Sequence, residues 1–350
     1  VTIKHPQDRA FVSFARLQYN KAMAESTRQN PLLATDLGGT KIATALVSPE
    51  GEILCQEHVP TLAEEGVDAV ISRMLAATDS VVGRADLSLS SFTSIAIAAA
   101  GAIDSKKGIV TASPNLPGWR DIHLKEIIET ATGLDTFVIN DASAAALGEH
   151  CFGAGRGVNN LIYVTVSTGI GGGIIIDGKL YSGVSGSAGE VGHMTIDVNG
   201  PRCNCGNIGC LELLASGRAV AREAQRLIAQ GARTRIIQLA EGEPQNITAK
   251  IVAAAAQEGD NLASEIISRA ATYLGMGLAN LVNIFNPEMI IIGGGMAKMG
   301  DMLLDTARKV VAERAFQLPA QRVRIVPSQL GDNAAVLGAV AFGQGLAGSL

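Results

Sequence analysis

Leu32-Leu-Ala-Thr-Asp36-Leu37-Gly38-Gly39-Thr40-Lys41-Ile-Ala-Thr-Ala-Leu-Val47 decides the fold, because its pattern occurs twice in the chain. The apolar run to Asp36 reads as a strand, Leu37 to Thr40 as a tight glycine turn, and Lys41 to Val47 as the returning strand. Pro49-Glu50-Gly51 is a second turn signal, and Glu52 to His58 a third strand. About 130 residues later the same order recurs. Leu161 to Val166 reads as a strand, Ser167-Thr168-Gly169-Ile170-Gly171-Gly172 as a glycine turn, and Gly173 to Ile176 as a strand. Asp177-Gly178 is a two-residue turn and Lys179 to Ser182 a third strand. A repeated strand, glycine turn, strand, turn, strand order is the mark of a duplicated α/β unit.

Outward from these hairpins the chain alternates helix and strand. Helical patterns cover Gly66 to Val82, His123 to Thr130, Asp141 to Cys151, Gly217 to Gln230, Thr248 to Glu258, Asn261 to Phe285 and Asn333 to Ala347. Buried strands are expected at Ser94 to Ala100, Phe137 to Asn140, Met289 to Ile292 and Arg322 to Val326. The expected organisation is an extension over 1–30 and a small lobe over 31–142 completed by a C-terminal helix within 332–350. A large lobe over 143–331 makes up the rest. Two α/β lobes imply a cleft between them, where ligands commonly bind.

The 350 residues are 47% hydrophobic and 17% charged with 40 glycines, a soluble globular composition rich in tight turns. A net charge of −5 and a pI near 5.6 argue against nucleic acid or an anionic membrane as the main partner. No apolar stretch approaches the roughly 20 residues of a membrane span, and no secretory leader is visible in the first 30. Three of the five cysteines cluster and the other two stand apart, so a reducing, cytoplasmic setting is expected.

That cysteine cluster carries the most specific chemistry. Glu190-Val-Gly-His193 is followed by Cys203-Asn-Cys205-Gly-Asn-Ile-Gly-Cys210-Leu-Glu212. Cys-x-Cys and a third cysteine let one loop present three thiolates, and His193 completes the four N/S donors that tetrahedral zinc takes. A closed shell of protein ligands makes the ion structural, and the bracketing carboxylates Glu190 and Glu212 become part of a stiffened polar loop. The turns at Gly38-Gly39-Thr40-Lys41 and Thr168-Gly169-Ile-Gly171 can cradle a polyphosphate with backbone N–H groups, with Asp36 placed for a hydrated magnesium. Ordinary hairpin turns are the alternative. Neither a Walker sequence nor a dinucleotide fingerprint occurs. Gly293-Gly294-Gly295, after an apolar strand, is a place for adenine to lie on backbone, or a plain strand-to-helix turn. Asp141, after the strand ending at Asn140, is suited to take a proton from a substrate hydroxyl, or to cap the helix it begins. Asn115-Leu-Pro-Gly-Trp119 offers an amide for a polyol and the sole tryptophan for a pocket wall, or is a proline- and glycine-rich turn with a packing tryptophan.

Taken together, Asp36-Leu-Gly-Gly-Thr-Lys41, Thr168-Gly-Ile-Gly-Gly-Gly173, the Glu190 to His193 segment, Cys203-x-Cys205-Gly-x-x-Gly-Cys210-x-Glu212 and Gly293-Gly-Gly295 resemble the ROK family of sugar kinases and sugar-responsive repressors, from about Leu32 to Ala347. The resemblance implies a two-lobed actin/Hsp70/hexokinase-like (ribonuclease H-like) ATPase fold. It implies ATP and magnesium as cofactors beside the structural zinc, and a homodimer or homotetramer. By the same resemblance Asp141 is the general base toward a hexose primary hydroxyl. Asn140, Glu190, His193 and Glu212 contact sugar hydroxyls, and Gly101 and Asn115 line the pocket. Ser167 stands where glycine is more usual in the second phosphate motif. The Asn115 to Trp119 loop is similar to glucokinase-like members, which makes glucose the expected sugar. Kinases of N-acetylmannosamine or N-acetylglucosamine are the alternative, and a sugar-responsive regulator a further one. The regulator would need a DNA-reading module that Val1 to Asn30 lacks the length and charge to form.

Overall fold

The computed structural model describes residues 31–346. They form two compact units, one from the chain up to Phe152 with the segment from Asn333, the other from Gly153–Asp332. The expected extension over 1–30 lies outside the described residues. The boundary expected at 142–143 is displaced, because the helix Asp141–Phe152 crosses it unbroken, with Ala142 and all residues from Ala144 to Glu149 buried. A helix buried in one core moves with that core.

In the first unit β1 (Leu32–Leu37), β2 (Lys41–Val47), β3 (Ile53–Pro60), β4 (Ser94–Ala99) and β8 (Asp135–Asn140) make one sheet in the order β3-β2-β1-β4-β8. β1 to β3 form an antiparallel meander, and β1, β4 and β8 run parallel. Strands covered on both faces read as near-continuous apolar runs, as β2 does from Ile42 onward. The two central threonines are no exception: Thr35 and Thr44 face each other in register and share a buried hydroxyl hydrogen bond of 3.0 Å. Val67–Arg84 buries Val70, Ile71, Met74, Ala77, Thr78, Val81 and Val82, the spacing of one helical face.

β5 (Ala102–Asp104), β6 (Ile109–Ala112) and β7 (Arg120–Ile122) form a small antiparallel sheet that the sequence pattern does not announce. Strands of three or four residues are too short to display a period. This sheet carries the Asn115 loop and buries Trp119 at 2% exposure beside Ile103, Val110 and Leu116. Trp119 is therefore core, so of its two expected places the packing one holds and the pocket wall does not.

The second unit repeats the plan. β9 (Leu161–Val166), β10 (Ile170–Ile176), β11 (Lys179–Leu180), β12 (Met289–Gly293) and β13 (Arg324–Pro327) stand in the order β11-β10-β9-β12-β13. β9, β12 and β13 are parallel and β9 to β11 antiparallel, strand for strand as in the first sheet. The glycine turn is shorter than its sequence indicates: β10 begins at Ile170, so Gly171, Gly172 and Gly173 lie inside a strand. Helices Gly217–Ala229, Ala249–Gln257, Asn261–Phe285 and Asp301–Arg314 are the longer helices of the unit. The first three are started by side-chain caps, with Ser216, Thr248 and Asp260 accepting from the amides of Ala219, Ile251 and Ala263. Among the described residues no helix is long and apolar enough to cross a membrane.

The closing helix Ala334–Gly343 packs on Asp141–Phe152 within the first unit, and the approach is close enough to need glycine. A Cβ at Gly338 would stand 1.5 Å from the Ala144 carbonyl oxygen, a backbone atom that cannot step aside. Gly338→Val is expected to lower unfolding stability by about 3 kcal/mol or more through overpacking. Urea denaturation followed by the fluorescence of Trp119, the sole tryptophan, measures it. An unchanged midpoint would remove this contact from the account of how the two helices meet.

Candidate active site

The parallel strands of the first unit deliver one cluster. Leu37, Ala99 and Asn140 lie on one rung across β1, β4 and β8, so Asp36, Gly101, Asn140 and Asp141 gather at the strands' C-terminal ends. Open α/β sheets bind ligands at that edge. Asn140 organises the group. Its Oδ1 accepts from the Ser143 amide at 3.0 Å, capping the helix. Its Nδ2 donates to the Gly101 carbonyl oxygen at 2.9 Å and to Asp141 Oδ1 at 3.1 Å. Asp141 Oδ1 also accepts from the Ala142 amide at 2.8 Å. Capping thus belongs to Asn140, while Asp141 is the first residue of the helix. There the backbone N–H groups favour a negative charge.

Asp36 is affected most by this neighbourhood. Burial pushes its carboxyl up to about 7, the negative Asp141 pushes the same way, and Lys41 opposes them. The sign for stability is set by the protons held. Between about pH 4 and pH 7 the native state keeps a proton that an unfolded aspartate has lost, so native stability falls as pH rises through that window. Asp36→Asn is expected to flatten this part of the profile. In chelator the variant should match the parent near pH 4 and exceed it at pH 8 in urea midpoint; parallel profiles would contradict the shift.

The first glycine turn is held from a distance. The Gly38 amide donates to the Lys41 carbonyl oxygen at 3.1 Å, Thr61 Oγ1 donates to the Gly38 carbonyl oxygen at 2.7 Å, and the Thr61 amide donates to the Thr40 carbonyl oxygen. Thr61 is not among the expected site residues. Nothing local marks it, and only the register pairing Lys41 with Pro60 brings it there. Gly39 has a structural reason to be glycine, because a Cβ would meet Asn115 Cβ at 2.8 Å. Ser113 is equally silent in the sequence. It stands against Gly101, and its Oγ is buried with no hydrogen-bond partner.

The second unit holds the other residues. Thr165 pairs with Gly171 on one side and with Gly293 on the other, which sets the turn Ser167 to Gly169 beside Gly293, Gly294 and Gly295. Thr168 and Gly295 are exposed and Gly169, Gly171 and Gly294 half-buried, the accessible backbone that a phosphate or a base needs. Glu190 and His193 flank and end a single-turn helix after an exposed loop, with Glu190 Oε2 3.9 Å from His193 Nε2. Glu212 differs from its expected role as a sugar contact alone: its Oε2 accepts from the Ile170 amide at 2.9 Å.

His193, Cys203, Cys205 and Cys210 offer donor atoms all within 4.8 Å of one another. The Sγ atoms of Cys205 and Cys210 are 3.7 Å apart, and His193 Nδ1 is 3.9 Å from the Cys203 Sγ. A tetrahedral ion with Zn–S bonds of about 2.3 Å has edges of about 3.8 Å, so the donor set fits zinc. His193 turns Nδ1 to the sulfurs and Nε2 to Glu190. Burial, reinforced by Cys205 and Cys203, pushes the Cys210 thiol up to about 12, whereas the Asn207 amide holds Cys205 below the ordinary thiol range. An ion must therefore displace a proton from Cys210.

With this geometry in view, the comparisons with known proteins are consistent with one another. The sequence model of the ROK family matches residues 32–345. A glucokinase of Thermotoga maritima is 37% identical over 311 residues, 89% of this chain and 96% of that protein. A xylose repressor of Caldicellulosiruptor bescii is 36% identical over 326 residues, 93% of this chain and 79% of the repressor. The crystal structure of a ROK family glucokinase from Streptomyces griseus, in complex with glucose and AMPPNP, superposes with a TM-score of 0.80 at 35% identity. The match covers 89% of this chain and 99% of that one. The fold is the actin/hexokinase-like α/β fold of such glucokinases, and the chain belongs to the ROK family.

Proposed function

We propose that the protein is a sugar kinase that transfers the terminal phosphoryl group of ATP to the primary hydroxyl of a hexose, with glucose as the sugar. The observation that carries this reading is the hydrogen-bonded run Gly101–Asn140–Asp141 at the C-terminal edge of three parallel strands. It holds one carboxylate in a fixed orientation, ready to receive a hydroxyl proton. Asn140 and Asn115 supply amides to sugar hydroxyls, and the unpartnered Ser113 Oγ has a partner once a polyol is bound. In the second unit Glu190, His193 and Glu212 supply acceptors and a donor to the sugar. A site that bonds each hydroxyl rejects analogues lacking one, because buried polar groups are then left unpaired.

The backbone of Gly38, Gly39, Thr40 and Lys41 and of Thr168, Gly169 and Gly171 binds the phosphates, and Gly293, Gly294 and Gly295 carry the adenosine. Asp36 is the carboxylate for magnesium, which when bound neutralises charge on the transferring phosphoryl group. The like-charged Asp36 and Asp141 support this, since a divalent cation relieves their repulsion. His193, Cys203, Cys205 and Cys210 hold zinc as a structural ion. The protein is read as a cytoplasmic homodimer or homotetramer with no nucleic-acid partner.

A coupled assay of glucose, N-acetylmannosamine and N-acetylglucosamine against ATP, GTP and polyphosphate tests the reading. Glucose with ATP should give the highest kcat/KM. High turnover of an N-acetylhexosamine with little on glucose would replace the sugar. The similarity to a xylose repressor makes a sugar-binding regulator the second reading. Sugar binding with no phosphoryl transfer to any of the three sugars would favour it.

A further inference from the structure

The carboxylate of Glu212 touches the nucleotide turn and not only the sugar side of its unit. Its Oε2 accepts the Ile170 amide at 2.9 Å, at the point where the second glycine turn passes into β10. A second observation agrees. A Cβ at Gly169 would meet Glu212 Oε2 at 2.4 Å, so this glycine makes room for the carboxylate. The chain shortly after Glu212 holds the same turn again, for the Gly217 amide donates to the Ser167 carbonyl oxygen at 2.7 Å. On its other flank Glu212 follows Cys210 and Leu211; Leu211 donates its amide to Met194, and Cys210 bridges Thr195. One side chain therefore joins the cysteine loop to the phosphate-binding turn.

We propose that Glu212 is a positioning residue that couples hexose binding to nucleotide binding within the second unit. This rests on the sugar-kinase reading above. A carboxylate has two acceptor oxygens. Oε2 holds the Ile170 N–H, and the other oxygen accepts a sugar hydroxyl. Fixing one oxygen on the sugar removes the rotational freedom of the side chain, so the turn is already ordered when phosphate arrives. Ligands that order the same element bind each other's complex more tightly, and the coupling is reciprocal.

The test is the affinity of AMPPNP, measured calorimetrically without glucose and with saturating glucose. The parent should bind AMPPNP roughly five- to thirtyfold more tightly with glucose present. Glu212→Ala should bring that ratio close to one, and Glu212→Gln, which keeps one acceptor for Ile170 and turns an amide N–H to the oxygen of the sugar hydroxyl, should restore most of it. Gly169→Ala is the second variant, since the added methyl meets only the movable end of Glu212 and should also collapse the ratio. Glu190→Ala is the control: it should weaken glucose binding yet keep the ratio once glucose is saturating. A parent ratio of one, or a full ratio in Glu212→Ala, overturns the coupling while leaving the kinase reading intact. A parent that binds neither ligand overturns the kinase reading itself and the coupling with it.

Discussion

Asp141→Ala is expected to lower kcat by about two to four orders of magnitude while the KM for the hexose changes little. The asymmetry comes from the role of base proposed for the side chain. Deprotonation of the attacking hydroxyl occurs only on the way to the transition state, so removing the base lowers kcat and kcat/KM together. Sugar binding, in contrast, is proposed to be spread over Asn115, Asn140, Glu190, His193 and Glu212, and Asn140, which donates to the Asp141 carboxylate, has two further anchors. Asn140 remains tied to Gly101 and to the Ser143 amide after the substitution. The helix keeps its cap, so a loss of activity in Asp141→Ala is not a loss of fold. Steady-state kinetics with glucose and ATP, alongside a melting curve, separate the two. Turnover within a few-fold of the parent would remove Asp141 from the role of base.

Loss of the proposed zinc should have an effect of similar size by another route. In Cys205→Ser, zinc content is expected to fall from one ion per chain to near zero, and glucose affinity to weaken by about a hundredfold or more. The reason lies in how little apolar burial holds the loop beside its hydrogen bonds. From Thr195 to Gly209 the large apolar side chains are poorly covered, and Val198 and Ile208 are 79% and 38% exposed. Burying a large apolar side chain contributes about 1.5–3 kcal/mol, and this segment has none fully buried. A structural zinc site is worth about 10–16 kcal/mol in small zinc domains, so a bound ion would dominate any other local term. His193 belongs to the donor set and Glu212 adjoins it, so both should lose their orientation with the ion. The first unit has its own core, from Leu33 to Val138, and should melt unchanged. Metal analysis and glucose titration check the result; one equivalent of zinc retained in the variant would show that the four donors are wrongly chosen.

Much of the architecture is legible in the sequence because its signals are local. Asn261–Phe285 is a helix with the bounds its pattern indicates, and Lys41–Val47 a strand with the bounds its pattern indicates. The duplication is readable as well, since each unit begins with a glycine hairpin whose pattern survives in both copies. Asp301–Arg314 is not among the expected helices, although Leu303, Leu304, Ala307, Val310 and Val311 carry a helical period. The small sheet over Ala102 to Ile122 has no such period to find. The sequence leaves Trp119 open between two places because a proline- and glycine-rich turn looks the same whether its aromatic faces a ligand or a core.

The sequence by itself determined which residue types are available and in what local order: the donors of the metal loop, the glycine turns, and an aspartate where a strand gives way to a helix. Composition and short-range spacing carry that information because a turn, a cap or a ligand loop is made of neighbours. Tertiary structure alone decided that Asn140, and not Asp141, caps the helix. It also decided that Thr61 clasps a turn some twenty residues before it, and that Gly169 is glycine to admit Glu212. Each of these depends on strand register and on the packing of distant segments, and a single chain of letters does not record the distance between two side chains that only folding brings together.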